Sequence, residues 1–377
     1  MRRPISVDAE PAFRTAQANP YNSRLYTAVG ALGVPVREFS YARLLLSPPS
    51  IVHLHWPELT FLSGPRRWRH IARLVLFFGF FRIARLRGTR LVWTVHNLNS
   101  HEERSSRRIR AGYRFLLLRN VDAFMSLSKD GIAATRAMYP ELENVPGYVT
   151  PHGHYRLDYD LTGDRTDARI ELSIPGDARL IVSMGSLRAY KNIPALIRSY
   201  LERDDDGSVL AVAGKPSSDE LRREIEAAAR KSDRVRLELS FLSPARMALW
   251  LRAADMVVLP YRDINNSGSA ILALSANRPV LVPDLGAMGE LANLVGDNWV
   301  RLYDGDITRA ELDRSMVWLN STPRPESTDL SSLSWGTIAA RTVDVYSSVA
   351  TAPRPYTAPK RRAKKDSGTN KEISDTI

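Results

Sequence analysis

The stretch Leu259–Glu290, LPYRDINNSGSAILALSANRPVLVPDLGAMGE, decides the fold. An apolar strand is followed by a polar loop, a helix, a second apolar strand and a loop containing glycine. Strands that are apolar throughout are buried on both faces, which is typical of a parallel sheet covered by helices. Ser267, Gly268 and Ser269 open the helix, where hydroxyls and free backbone N–H groups predict an anion site. A serine that only caps the helix is the alternative.

A second turn from strand to helix lies upstream, in Ser183–Ile193, SMGSLRAYKNI. Gly185 and Ser186 leave backbone N–H groups free at the start of a predicted helix, and Arg188 and Lys191 add positive charge. An ordinary turn with two solvated cations is the alternative. Two anion sites in one α/β unit indicate a ligand that carries a diphosphate, of the nucleotide-diphosphate class.

The same kind of strand recurs along the chain, which predicts an α/β protein with two Rossmann-like domains facing a cleft. A polar, turn-rich stretch, Asp158–Pro175, separates two series of strands and helices. The expected domains are 1–160 and 161–350, followed by a disordered basic tail over 351–377. The predicted strands are Ser50–His55, Thr89–His96, Ala123–Ser128, Leu180–Gly185, Ser208–Gly214, Asp255–Pro260 and Pro279–Pro283, and a last helix is predicted over Ser334–Val349.

Composition excludes several classes of protein. The chain has 377 residues, of which 44% are hydrophobic and 25% charged, so it can bury a large core and is long enough for two domains. It has no cysteine, which excludes disulfides, thiolate metal sites and a cysteine nucleophile. The N-terminus has no apolar run, so we expect no secretory signal.

The net charge of +12 is concentrated in the window Arg66–Arg119, which holds fourteen arginines against Glu102 and Glu103. The window contains the apolar run Leu74–Phe81, which is too short to span a bilayer because that takes about 20 residues. A helix with an apolar body and arginines at both ends predicts peripheral contact with anionic lipid. A core helix with charged ends is the alternative. No motif for specific nucleic-acid binding accompanies the charge.

The order of motifs from GSLRAYKN through AADMVVLPY to SGSAILALSANRPVLVPDLGAMGE resembles the donor-nucleotide domain of glycosyltransferases of the GT-B fold, of the family-4 type. The likeness extends to the bacterial exopolysaccharide GDP-mannose:glycolipid β-1,4-mannosyltransferases. It implies a cytoplasmic enzyme at the inner face of the cell membrane, with a nucleotide-sugar donor and a lipid-linked saccharide acceptor. The first domain would be the acceptor side and the second would bind the donor nucleotide.

Within that resemblance, Lys191 matches the lysine on the donor diphosphate, Glu290 the acid of the last loop, and His96 the histidine that faces the donor sugar. Family members that retain the anomeric configuration carry two glutamates eight residues apart. Those positions fall near Ile264 and at Leu272 here, so the pattern favours inversion. A retaining transferase, or a protein that binds polyanions without catalysis, are the alternatives.

Inversion requires a general base on the acceptor side of the cleft. The candidates follow two predicted strands: His55 and Glu58 after the first, with His53 on the same face as His55, and His96 after the second. His101, Glu102, Glu103 and Asp130 are further candidates. Asn19 and Tyr21 begin a predicted helix where the resemblance places the acceptor side; a simple turn is the alternative. Cations and backbone amides suffice to stabilise the leaving diphosphate, so we expect neither a metal nor another cofactor.

Overall fold

The computed structural model describes residues 4–17, 19–96, 106–204, 207–230 and 232–353. The strands in these residues are β1 (Val7–Glu10), β2 (Val36–Glu38), β3 (Ile51–Leu54), β4 (Arg90–Val95), β5 (Ala123–Ser126), β6 (Gly147–Val149), β7 (Leu180–Met184), β8 (Val209–Ala213), β9 (Val235–Glu238), β10 (Met256–Val258), β11 (Val280–Pro283) and β12 (Val300–Tyr303). The helices are α1 (Tyr21–Ala31), α2 (Tyr41–Leu46), α3 (Pro57–Leu62), α4 (Arg67–Leu86), α5 (Arg107–Asn120), α6 (Lys129–Met138), α7 (Arg165–Glu171), α8 (Ile193–Leu201), α9 (Asp219–Ala229), α10 (Pro244–Ala253), α11 (Gly268–Ser275), α12 (Met288–Val295), α13 (Arg309–Ser321) and α14 (Trp335–Thr351).

The strands form two parallel six-stranded sheets, each covered by helices on both faces. The first sheet has the order β2-β1-β3-β4-β5-β6, and the second has the order β12-β11-β10-β7-β8-β9. Each sheet lies between two apolar clusters, one on each face. The prediction of an α/β fold with two Rossmann-like units is confirmed.

All seven predicted strands are present, and their ends agree to within two residues. The sequence analysis missed β1, a central strand, because Asp8 and Glu10 interrupt its apolar pattern. Both carboxylates are buried and paired: Arg43 Nε lies 3.0 Å from Asp8 Oδ2, and Arg14 contacts Glu10. Ion pairing therefore allows a charged sequence to form an inner strand.

The last helix, α14, leaves the second sheet and packs against the first. Ile338, Tyr346 and Val349 are buried in the same cluster as Val7 and Leu25 of the first domain. The sequence analysis placed this helix in the second domain, 161–350. In the structure the helix packs against the first sheet. The segment 354–377 of the predicted tail lies outside the described residues.

Helix α4 has two different apolar faces. His70, Leu74, Phe77, Phe81 and Ala84 are buried against the first sheet, as a core helix requires. The opposite face leaves large apolar side chains exposed, namely Trp68, Ile71, Val75, Leu76, Ile83 and Leu86. Among the described residues, no helix is long and apolar enough to cross a membrane.

Candidate active site

The turn after β7 gathers the groups predicted to bind an anion. Gly185 has φ +108°, and a Cβ built on it would lie 3.4 Å from Lys191 Nζ and 3.6 Å from Ser269 Oγ. Gly214 of the adjacent strand end packs so closely that a Cβ there would lie 1.8 Å from the Gly185 carbonyl oxygen. Lys191, Ser269 and the Gly185 turn therefore line one small space.

Lys191 is the buried cation of this space, with only 7% of its surface exposed. Its Nζ lies 5.7 Å from the centre of the Tyr261 ring. Burial lowers the pKa of Lys191 from its usual value, and no carboxylate in the described chain lies within ion-pair distance to offset that effect. The charge is therefore left for an incoming anion to neutralise.

Ser267 caps the start of α11, as the alternative interpretation of this serine predicted. Its Oγ accepts a hydrogen bond from the Ala270 N–H at 3.1 Å and so caps α11. The Tyr261 hydroxyl lies 3.2 Å from the same oxygen. Ser267 thus shapes the helix start, while Ser269 in the first turn of α11 is the hydroxyl near Lys191.

The remaining donor-side candidates lie around this centre. Ser186 and Arg188 are exposed beside it. Glu290, in the first turn of α12, accepts a hydrogen bond at 2.9 Å from the Asp130 backbone N–H, at the start of α6 in the first domain. This hydrogen bond crosses the cleft. Glu290, which was predicted to face the donor, therefore links the two domains in this structure. Leu272, where retaining relatives carry a glutamate, is a buried apolar residue of α11.

On the facing side, β3 and β4 end side by side and bring His55 and His96 together. Nδ1 of His55 lies 2.8 Å from Nε2 of His96. The His96 ring stacks on Trp56 with 4.1 Å between ring centres and an interplanar angle of 17°. His55 is fully buried and His96 is half-buried, so His96 is the member nearer the cleft.

Behind His55, a chain of polar groups continues into the first domain. The Tyr26 hydroxyl contacts His55 Nε2 and lies 3.0 Å from His53 Nδ1. The Tyr346 hydroxyl of α14 is 2.6 Å from the same His53 nitrogen, and Thr94 Oγ1 is 2.7 Å from His53 Nε2.

His152 connects the histidines with the donor side. Its Nδ1 lies 2.8 Å from the Gly153 carbonyl, and the Tyr155 hydroxyl lies 3.1 Å from its Nε2. A Cβ on Gly268 would lie 3.0 Å from that hydroxyl and 3.9 Å from His152 Nε2. His152 was not among the predicted site residues, although it follows the end of β6 at Val149, near the position at which parallel strands present their site residues.

Tyr21 packs in the middle of this cluster, and Asn19 sets its position. The ring centre of Tyr21 lies 5.1 Å from that of His96 and 4.8 Å from that of His152. The Tyr21 backbone N–H donates a hydrogen bond to Asn19 Oδ1 at 3.0 Å. The structure therefore brings Tyr21 together with both histidines, and Asn19 forms the turn that starts α1.

Glu58 lies apart from the histidines. Its Oε2 is 3.5 Å from the Tyr113 hydroxyl of α5, and burial raises its pKa. Within the described part of the chain, no hydrogen bond joins Glu58 to His55 or His96. The candidates His101, Glu102 and Glu103 lie outside the described residues.

Burial keeps the clustered histidines neutral. It lowers the pKa of His53 to about 3 and that of His152 to about 4, and it lowers those of His55 and His96 well below the usual value. Neutral imidazoles have one nitrogen that can accept a proton, as a general base must. In the residues that the structure describes, no group of three or more histidines or carboxylates is arranged to hold a metal ion.

A relative in Xanthomonas campestris pv. campestris, named GDP-mannose:glycolipid 4-beta-D-mannosyltransferase, is 32% identical over 320 residues, covering 85% of each chain. The lipopolysaccharide core biosynthesis mannosyltransferase LpsB of Rhizobium meliloti is 24% identical over 229 residues, which covers 58% of this chain and 62% of LpsB. No family model matches the chain.

Solved structures of glycosyltransferases share the fold. Sucrose-phosphate synthase from Thermosynechococcus elongatus superposes with a TM-score of 0.65 at 16% identity, covering 92% of this chain and 99% of that one. WaaG, a glycosyltransferase involved in lipopolysaccharide biosynthesis, superposes with a TM-score of 0.57 at 15% identity, over 92% of this chain and 97% of that one. At these identities the likeness concerns the architecture alone.

Proposed function

The chain belongs to the family of the GDP-mannose:glycolipid 4-β-D-mannosyltransferases and is a glycosyltransferase of the GT-B fold; from this premise we propose that it transfers mannose from GDP-mannose to a lipid-linked saccharide with inversion at the anomeric carbon. The observation that carries the proposal is the cleft itself. A buried cation with no carboxylate partner among the described residues lines one wall, and neutral histidines line the other. These are the two groups that an inverting transfer needs on opposite sides of the sugar.

The donor diphosphate would occupy the space between the Gly185 turn, Lys191 and Ser269. A diphosphate there neutralises the Lys191 charge and accepts a hydrogen bond from the Ser269 hydroxyl. As the bond between the sugar and GDP breaks, negative charge develops on the leaving phosphate next to this lysine. The side chains thus supply positive charge at the leaving group, and we propose that transfer requires no metal ion.

The acceptor hydroxyl would attack the anomeric carbon from the face opposite the diphosphate. Its oxygen forms the new glycosidic bond, the bond to GDP breaks, and the hydroxyl proton passes to a base. His96 supports that role best, because it is neutral, half-buried and located at the strand ends that face the donor side. An α-linked donor then gives a β-linked product.

Product stereochemistry and nucleotide selectivity test this proposal. We expect purified protein with GDP-mannose and a lipid-linked acceptor to give a β-mannoside, identified by NMR of the product anomer, and activity to persist in EDTA. An α-mannoside would establish the retaining alternative. In a thermal-shift comparison of GDP-, UDP- and ADP-sugars, GDP-mannose should raise the melting temperature most, because a ligand that binds only the folded state stabilises it.

The exposed apolar face of α4 supports peripheral contact with a membrane at the cytoplasmic side. Trp68 and Val75 are each 63% exposed and Leu86 is 76% exposed. The helix also exposes Arg67 and Arg82. Apolar side chains that enter the headgroup boundary, flanked by arginines on anionic lipid, fit an enzyme whose acceptor is held in that layer.

A further inference from the structure

We propose that the chain of hydrogen bonds from Thr94 through His53, Tyr26 and His55 to His96 is a positioning device, which fixes the tautomer of His96 so that Nδ1 carries the free lone pair. The inference rests on the proposed function, because it concerns the base of that reaction. It assigns His55, which follows β3 directly, a positioning role behind His96. It gives the same kind of role to Tyr26 and Thr94, which the sequence did not single out.

The distances make a continuous path. Thr94 Oγ1 lies 2.7 Å from His53 Nε2, Tyr26 bridges His53 Nδ1 and His55 Nε2, and His55 Nδ1 lies 2.8 Å from His96 Nε2. Thr94, His53, Tyr26 and His55 are all buried, so bulk water does not compete for these bonds. Among the described residues, His96 Nδ1 has no hydrogen-bond partner.

Each neutral imidazole carries one proton, so when Tyr26 is the hydroxyl that bridges His53 and His55, the path has only two consistent directions. In one direction, His53 donates from Nε2 to Thr94, Tyr26 donates to His53 Nδ1, and His55 donates from Nε2 to Tyr26. His55 Nδ1 then accepts from His96 Nε2–H, which leaves His96 Nδ1 unprotonated. In the reverse direction, His55 donates from Nδ1 to His96 Nε2, and the proton of His96 is on Nδ1.

Only the first direction leaves His96 able to accept a proton on its unpaired nitrogen. The Trp56 ring stacked on His96 keeps the imidazole plane fixed, so exchange of the two nitrogens by rotation is opposed. The Tyr346 hydroxyl lies 2.6 Å from His53 Nδ1, and in the first direction, where that nitrogen is bare, it can donate to it in place of Tyr26.

Thr94 provides the sharpest test, because it lies at the opposite end of the path from His96. Thr94→Val removes the acceptor of the His53 Nε2 proton, so His53 should move its proton to Nδ1 and reverse every bond of the path. Histidine nitrogen NMR on ¹⁵N-labelled protein reads the result, with the His96 signals identified by their loss in His96→Gln. We expect the wild type to have protonated Nε2 and bare Nδ1 at His96, and Thr94→Val to show the opposite.

Tyr26→Phe keeps the ring and breaks the path in the middle. We expect the His96 signals to report a mixture of tautomers and kcat to fall on the order of 10-fold, with an unchanged KM for GDP-mannose. Tyr303→Phe is the matched control: it removes a hydroxyl from a buried tyrosine of the second domain that has no hydrogen-bond partner in the described chain, and both readouts should stay at wild-type values.

A wild-type His96 protonated on Nδ1 would overturn the inference, as would Thr94→Val and Tyr26→Phe proteins with unchanged His96 signals. The NMR measurement requires no turnover, so it separates this inference from the proposed function. If the wild type transferred no mannose but showed the expected tautomers, the proposed function would fail and the positioning path would stand.

Discussion

At the scale of single residues, the cleft contains buried ionisable groups of two kinds. Lys191 is a cation that has no carboxylate partner within the described ranges, so burial of its charge is unfavourable until an anion binds. His53, His55 and His96 are neutral and are linked by hydrogen bonds, His53 to His55 through the Tyr26 hydroxyl and His55 to His96 directly. The sequence suggested both kinds of residue, but it could not show that the histidines form one connected path, because that depends on the register of β3 against β4.

Replacement of Lys191 by methionine should raise the stability of the ligand-free protein and weaken the binding of GDP. Lys191→Met keeps most of the stem and removes the buried charge, so the ligand-free protein should melt at a higher temperature. The affinity for GDP should fall by about 10- to 100-fold, because a hydrogen bond to a charged group is worth about 1.5–3 kcal/mol. Calorimetric titration with GDP measures the affinity. Arg223→Met on α9 serves as a control and should bind GDP normally; equal affinity in Lys191→Met would contradict the assignment.

Acid should destabilise the protein through its buried histidines. The pKa of His152 is lowered to about 4 in the folded state, whereas an unfolded histidine titrates near about 6.5. Between these values the unfolded chain binds the proton and the folded one does not, so stability falls as pH falls, by about 1.4 kcal/mol per pH unit for each such group.

Urea unfolding at pH 7 and pH 5 measures this effect. We expect His152→Gln to lose less stability than the wild type over that interval, because it lacks one of the titrating groups. The other histidines whose pKa values are lowered by burial, His53, His55, His96 and His154, contribute to the remaining loss. Equal losses in the two proteins would mean that His152 is accessible to protons in the folded state.

At the scale of elements, the pattern of apolar residues predicted the apolar strands correctly, but it missed a strand that contains buried charged residues. The run Leu74–Phe81 lies in α4 as predicted, with one face of the helix buried in the core and apolar side chains exposed on the other. The strand β1 was missed because the free energy of burying Asp8 depends on Arg43, which is 35 residues away in sequence. Long-range ion pairs of this kind leave no local signal.

The exposed face of α4 gives an element-scale prediction. Trp68→Ser combined with Val75→Ser should reduce flotation with vesicles containing anionic lipid, because it removes apolar area that would enter the headgroup boundary. Val317→Ser is a matched control, since Val317 is 67% exposed on α13 of the second domain. Arg85 is best left unchanged, because its guanidinium donates to Asp122 at 2.6 Å. Undiminished flotation of the double variant would require another membrane contact.

At the scale of the whole molecule, α14 and the segment between the sheets tie the two domains together. The Trp335 indole N–H donates to the His154 carbonyl at 2.9 Å, and its ring packs against Tyr21. A Cβ on Gly153 would lie 2.5 Å from that ring. The sequence predicted the helix correctly, but its periodicity could not tell which of two apolar sheets it covers.

Trp335→Ala should therefore destabilise the protein by about 3–5 kcal/mol, as loss of a large buried aromatic side chain does. Chemical denaturation followed by circular dichroism measures this change. Trp68→Ala is the control, because Trp68 is 63% exposed and surface substitutions usually change stability by less than about 0.5 kcal/mol. A loss of the same small size in both variants would show that the helix is not anchored by this residue.

The position of α14 also constrains how the protein is made. The first sheet ends with Val149, yet the helix that completes one of its faces begins only at Trp335. At about 5–20 residues per second, a ribosome takes roughly 10–40 s to synthesise the intervening chain. During that interval Tyr26 and His53 lack the Tyr346 side of their pocket. The part of the molecule synthesised first is therefore among the last to be finished, and a chain released early would expose that unfinished face.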